Sequence, residues 1–216
     1  SYIMQNKKIN THNSLDKVDY FNGSASIYDK DSGLNIIKII SGDYYVSKDP
    51  KDVFVTILGS CISACIYDEV LKIGGMNHFL LPGDGTTENA RFGSFAMELT
   101  INDMLKLGSS KRRMKVKLYG GANVLATNSS RIGDKNIEFI KHFVKNEQLN
   151  IVEQDLGGTL PRRLHFFPAA GVVEMRKIEK QYNKQVIEEE NSYANKLNKQ
   201  KTAEAASDDD DDIELF

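Results

Sequence analysis

The stretch Leu58-Gly-Ser-Cys-Ile-Ser-Ala-Cys-Ile-Tyr67, followed by Asp68-Glu-Val-Leu71 and then Gly74-Gly-Met-Asn-His-Phe-Leu-Leu81, decides how this chain is read. Two compact, β-rich apolar runs flank a short polar connection, the pattern of an antiparallel hairpin. Closing the hairpin at Asp68–Leu71 sets Cys61 opposite His78 at its open end, and Gly74 and Gly75 opposite Cys65 and Ala64. Upstream, Asn35-Ile-Ile-Lys-Ile-Ile40 and Tyr44-Tyr-Val46 read as short strands separated by Ser41-Gly-Asp43. Val53-Phe-Val-Thr-Ile-Leu58 is apolar almost throughout, as a strand central in its sheet would be.

Downstream the period changes to that of a helix from Glu88 to Leu107, with Phe92, Ala96, Leu99, Met104 and Leu107 on one face and Gly108 as the stop. Met114, Val116 and Leu118 alternate with Lys115, Lys117 and Tyr119, which predicts a half-exposed strand after the basic run Lys111-Arg-Arg113. Gly120-Gly-Ala-Asn123 turns the chain, and Asp134 caps a second helix, Lys135 to Glu147, with Ile137, Ile140 and Val144 on one side. Strands follow at Ile151–Gln154, Arg163–Phe167 and Gly171–Ile178. Many short strands, two main helices and no regular βαβ spacing predict an α+β fold with stacked layers.

The ends differ from this centre. Residues 1–33 are rich in Asn, Asp, Ser and Lys and read as a flexible lead-in. Residues 179–216 form a charged tail without a continuous apolar stripe; Glu179 to Lys201 reads as disordered or as a solvated helix, and the tail ends in an acidic cluster, Asp208 to Asp212. The body between, 34–178, reads as the functional domain. Formal charge is −2 over 216 residues, but seven of the 30 acids lie in 202–216; without them 28 basic residues face 23 acidic ones, a formal +5. That is weak for a nucleic-acid partner, and no zinc-finger spacing, RRM-like aromatic motif or phosphate loop supports one. No apolar run approaches the length of a membrane span or a secretory signal, so a cytoplasmic protein without membrane insertion is expected. Two cysteines and four histidines are too few for a disulfide scaffold, and their spacing predicts neither metal nor cofactor.

The candidate chemistry is nucleophilic. Gly59-Ser60-Cys61 puts a thiol directly after a strand and a glycine, where backbone N–H groups can face outward to hold a thiolate or oxyanion. His78 is the candidate base across the hairpin, expected to lie within reach of Cys61 and to lower its pKa. An acceptor must orient the imidazole; Thr56 is nearest by topology, with Asn77 and Asp84 as alternatives. Cys65 lies deeper in the strand and reads as a buried, inert residue. His165, beside Phe166 and Phe167, reads as a packed histidine, and His142, between lysines, as a solvated one.

Leu58-Gly-Ser-Cys61 with Gly74-Gly-Met-Asn-His-Phe-Leu-Leu-Pro82 resembles the CheD family of bacterial chemoreceptor glutamine deamidases. The likeness continues in order through Arg91-Phe-Gly93, Ala96-Met-Glu-Leu99, Tyr119-Gly-Gly-Ala-Asn123, Ile132-Gly-Asp-Lys-Asn136, Asp155-Leu-Gly-Gly158, Pro161-Arg-Arg163 and Phe166-Phe-Pro168, covering roughly residues 35–178. The resemblance implies a three-layer α/β/β sandwich of mostly antiparallel strands, similar to the catalytic domain of cytotoxic necrotizing factor toxins. It implies hydrolysis of selected glutamines to glutamates on the cytoplasmic helices of methyl-accepting chemoreceptors. Cys61 falls on the family's nucleophile, His78 on its base and Thr56 on its threonine, with Gly59 and Ser60 supporting the oxyanion. Asn77, Arg162 and Arg163 are candidates for the substrate face. Some members also bind the phosphatase CheC, so a CheC-type partner is an expectation too. The alternative is a non-catalytic chemotaxis adaptor that binds receptors or such a phosphatase around an idle Cys-His pair. The tail from Glu179 has no counterpart in the resemblance.

Overall fold

A computed structural model of the chain describes residues 15, 18–20, 26–81, 90–124, 131–179 and 183–209. Its ten strands are β1 (Ser26–Asp29), β2 (Leu34–Lys38), β3 (Tyr44–Ser47), β4 (Asp52–Leu58), β5 (Ile62–Asp68), β6 (Ile73–Asn77), β7 (Lys115–Gly120), β8 (Asn150–Leu156), β9 (Arg162–Phe167) and β10 (Val172–Lys177). They form two five-stranded sheets, ordered β1-β2-β4-β9-β10 and β3-β6-β5-β7-β8. The β2–β4 and β7–β8 pairs are parallel and the others antiparallel. The helices are α1 (Ala90–Lys106), α2 (Ile132–Asn146) and α3 (Asn183–Asp209).

Strand alternation sorts the core into layers. Cys61, just before β5, and Cys65 and Tyr67 on it point between the sheets, where they meet Phe54, Leu58, Met76, Leu80, Tyr119, Leu164 and Phe166. Ile62, Ala64 and Ile66 point the other way, toward Met97, Ile101 and Met104 of α1 and Ile140 and Val144 of α2. The centre of the second sheet, β5 and β6, is therefore buried on both faces, which explains why β5 reads as a continuous apolar run. The outer face of the first sheet carries a smaller cluster in which Leu15 packs on Ile36, Val53 and Val55.

Three expectations need correction. Asp68 pairs with Ile73, Cys65 with Met76 and Ile62 with Phe79, so the hairpin register lies two residues from the expected one. The cause is Asp68, whose carboxylate accepts from the N–H groups of Val70 (3.0 Å) and Leu71 (3.2 Å) and widens the turn to four residues. Because a strand's facing repeats every two residues, this slip leaves His78 on the same face as Cys61. Second, the expected lead-in contributes structure: Leu15 is fully buried and β1 pairs with β2. Third, where a disordered or solvated tail and only two main helices were expected, Asn183–Asp209 is a 27-residue helix. Its buried stripe runs through Val186, Glu190 and Leu197, with Tyr193 and Ala194 packed against the inter-sheet core. A glutamate at its centre hides this stripe from an apolar pattern.

Candidate active site

The chain enters the site twice by leaving a sheet. Between β2 and β4 it crosses to the second sheet to add β3, and this excursion carries Ile39 and Ser41 over the sandwich edge. Between β4 and β5 it crosses again through Gly59-Ser60-Cys61. The open end of β6 delivers His78, whose backbone N–H donates to Asp43 O at 3.0 Å and whose carbonyl accepts from Gly42 N at 2.8 Å.

Thr56, two residues from the end of β4, faces inward and places its hydroxyl 2.9 Å from His78 Nδ1. That hydroxyl donates to the carbonyl of Ile39 at 2.5 Å. Its single proton being spent there, Thr56 can only accept from the ring, so Nδ1 carries the imidazole proton. Nε2 is left as an acceptor, directed at the Ser41 hydroxyl 3.2 Å away. Ser41 Oγ in turn lies 3.9 Å from Cys61 Sγ. The thiol and the imidazole are thus linked through a serine the sequence reading did not single out. Burial holds the His78 pKa below the usual imidazole range, opposed by its bond to Ile39 and the charge of Glu190.

Three consecutive N–H groups converge beside the thiol. Those of Gly59, Ser60 and Cys61 donate to the carboxylate of Glu190 at 2.9, 2.9 and 3.0 Å, and the Ser60 hydroxyl adds a fourth bond at 2.6 Å. The aim of this nest is set from behind. Ala122 N donates to Gly59 O at 3.0 Å, and the buried Asn136 side chain donates from Nδ2 to Ser60 O at 2.8 Å. In a trans peptide the C=O and the following N–H point in opposite directions, so tying those carbonyls back turns the N–H groups of Ser60 and Cys61 toward the carboxylate. The motifs around Asn123 and Asn136 thereby acquire a structural meaning: they are the rear wall of the N–H nest.

Other candidates sit elsewhere. Asn77 is fully buried, its oxygen accepting from Ala64 N at 2.9 Å and its nitrogen directed to Thr100 of α1, so it braces the scaffold. Arg162 is 1% exposed and bonds Asp155, Gly120 O and Gly157 O, holding a turn together rather than facing a substrate. Arg163 pairs opposite Ile57 on the outer face of the first sheet and lies over the Tyr20 ring, away from the thiol. Asp84 lies outside the described residues. Cys65 and Cys61 are both fully buried, so exposure does not separate them as expected. His165 is packed against Tyr20, with Tyr20 Oη 2.6 Å from its Nε2. No group of His, Cys, Asp and Glu able to hold a metal occurs among the described residues.

In this arrangement Cys61 is held as the thiol. Burial, and then the adjacent Glu190 charge and its hydrogen bond, push the Cys61 pKa well above the ordinary value, the reverse of the lowering expected from His78 alone. Glu189 is also pushed up, by burial and by Glu190.

A profile described as CheD chemotactic sensory transduction matches residues 80–177. The chain is 42% identical to the Shewanella oneidensis protein named "Probable chemoreceptor glutamine deamidase CheD 1", over 77% of this chain and 84% of that protein. It is 38% identical to "Probable chemoreceptor glutamine deamidase CheD" of Vibrio vulnificus, over 96% of this chain and 98% of that one. The chain belongs to the CheD family. Among solved structures, Neisseria meningitidis protein NMB0706 is 11% identical with a TM-score of 0.41, over 68% of this chain and 74% of that one. Bacillus licheniformis hypothetical protein YfiH is 12% identical with a TM-score of 0.37, over 52% of this chain and 50% of that one. Both are too distant to carry an argument, and neither is the cytotoxic necrotizing factor domain that the resemblance implies. What this CheD family chain shows of its fold, among the described residues, is two mixed five-stranded sheets and the helices α1, α2 and α3.

Proposed function

We propose that this chain hydrolyses glutamine side chains to glutamate on the helices of chemoreceptors, with Cys61 as nucleophile and His78 as its base. The observation that carries the reading is the nest of Gly59, Ser60 and Cys61 N–H groups beside a thiol that a serine links to a tautomer-fixed histidine. In the reaction the Cys61 proton passes through Ser41 to His78 Nε2, and the sulfur attacks the glutamine Cδ. The carbonyl oxygen becomes an oxyanion held by the nest, where each donor can be worth about 10²–10³ in rate. The intermediate collapses by breaking the C–N bond, and His78 returns the proton to the departing ammonia. Water, deprotonated by His78, then attacks the thioester; the C–S bond breaks, glutamate is released and the thiol regains its proton.

Amide recognition has a candidate in Asn123. Its nitrogen donates to Asp134 at 3.1 Å, which fixes the orientation of the carboxamide, and its buried oxygen has no partner among the described residues. Asn123 lines a small cavity together with Ser60 and Glu190. A glutamine NH2 group would donate to it, whereas a carboxylate cannot.

The chemoreceptor as substrate is carried over from the names of the relatives. A CheC-type phosphatase, if it offers a helix, would meet the same surface. No helix among the described residues is long and apolar enough to cross a membrane. Ammonia release from receptor cytoplasmic fragments tests the proposal: release by this chain and none by Cys61→Ala is expected. Equal release by the two would sink it and leave the adaptor reading.

A further inference from the structure

Helix α3 meets the site with one side chain where the chemistry would occur. The Glu190 carboxylate takes all three N–H groups of the nest and the Ser60 hydroxyl, 129 residues or more along the chain from any of them. On the deamidase reading, the species that leaves this nest is a glutamate carried on a helix. Glu190 is a glutamate carried on a helix.

The surface beneath α3 is shaped for such a guest. A Cβ at Gly59 would stand 2.7 Å from Val186 Cγ1 and 2.8 Å from Glu190 Oε1, and one at Gly42 would stand 2.7 Å from the Tyr193 hydroxyl. Both glycines therefore leave room for the side chains that α3 seats against them, where a larger residue would crowd Val186, Glu190 and Tyr193. Val186 and Leu197 are buried on either side of Glu190, while Glu188, Asn191, Ser192, Asn195 and Lys196 face outward. The contact positions are one turn before the glutamate, one turn after it and two turns after it, the spacing of a helix lying in a groove.

We infer that α3 lies in the groove that receives substrate helices, with Glu190 standing as a built-in product, so that the chain closes its own site and displays the register in which a substrate helix binds. The inference rests on the deamidase reading and adds two things to it. A substrate helix places its glutamine where Glu190 lies, an aliphatic residue four positions before it, aromatic and small residues three and four positions after it, and an aliphatic residue seven positions after it. Second, substrate must displace α3 before reaction, so apparent affinity is reduced by the fraction of chains in which α3 is docked.

The test is to give the site its own helix as substrate. In full-length Glu190→Gln, the docked side chain is an amide with its oxygen in the nest and the Cys61 thiol beside it. Sulfur attack on Cδ, loss of ammonia and hydrolysis of the thioester would regenerate glutamate at position 190. Mass spectrometry of the peptide containing residue 190 is expected to show conversion of amide to acid with time, and none in the double variant Glu190→Gln, Cys61→Ala. An amide that persists at position 190 while the same protein deamidates receptor fragments would overturn the inference and leave the deamidase reading intact. A protein that deamidates neither its own helix nor receptor fragments would overturn both. As a measurement that does not depend on turnover, alkylation of Cys61 in full-length Glu190→Ala is expected to be at least about tenfold faster than in the parent chain. Equal rates would show that α3 does not close the site.

Discussion

Asn136 never touches a reacting atom, yet on the deamidase reading catalysis depends on where it points. Its Nδ2 holds Ser60 O, and the trans peptide then aims the Cys61 N–H at the oxyanion position. Replacing it by Ala frees that peptide to rotate, and kcat is expected to fall about 10²-fold with receptor-fragment affinity little changed. Asn136→Asp keeps the shape but not the donor and should lose as much; an active Asp variant would refute the role. Thr56 makes a parallel case. Thr56→Val removes the nearer of the two acceptors at His78 Nδ1, leaving the Ile39 carbonyl at 3.2 Å, so kcat should drop by up to about 10²-fold, while Thr56→Ser should recover most of it. A Val variant with full activity would show that the tautomer needs no such partner. At this scale much was legible in the sequence: Cys61, His78 and Thr56 do converge. Ser41 was not, because an isolated serine in a turn carries no pattern, and Asn77 and Arg162 looked available only because sequence does not display burial.

At the scale of elements, β5 and β6 were readable from alternation and apolar content, but their register was not. The hairpin closes by a side-chain turn at Asp68, and nothing in the strands themselves prefers one even-numbered slip over another. Helix α3 was misread for a different reason. Its buried stripe has a charged residue at its centre, and a buried glutamate makes sense only with the distant nest that satisfies it. This pairing has a measurable electrostatic consequence. A carboxylate beside a thiol disfavours the thiolate, so Glu190 contributes to the raised pKa of Cys61. The pH dependence of Cys61 alkylation in the full chain is expected to have its midpoint above the ordinary thiol value of about 8.5. In Glu190→Ala two of the causes vanish while burial remains only in part, so the midpoint should move down. No movement, or movement upward, would mean that the carboxylate is not where the thiol feels it.

Across the whole molecule, the two sheets and α3 are held by unequal forces. The sheets share a continuous core of large side chains buried on both sides of β5, with Phe54, Tyr119, Leu164 and Phe166 between the layers and Met97, Ile101 and Ile140 beyond. Helix α3 is held by a narrower contact: the burial of Val186 and Leu197, the packing of Tyr193 and Ala194, and the four bonds that Glu190 accepts. Its Arg91–Glu204 ion pair joins groups 53% and 46% exposed, so solvent screens it to about 0–1 kcal/mol at most. Docking is therefore a local equilibrium well below the global stability, and α3 should open without the sandwich unfolding. Hydrogen exchange resolved by segment can separate the two events. Amides of α3 are expected to exchange far faster than those of β4, β5 and β9, and in Val186→Asp they should exchange faster still while the strands keep their protection. A receptor helix fragment that carries glutamine should do the same to α3 in the parent chain, because guest and α3 claim one groove. It should also slow alkylation of Cys61 in Glu190→Ala, where the groove stands open. If the fragment binds and α3 keeps its protection unchanged, the two helices occupy separate surfaces, and the groove under α3 is not where the receptor lies.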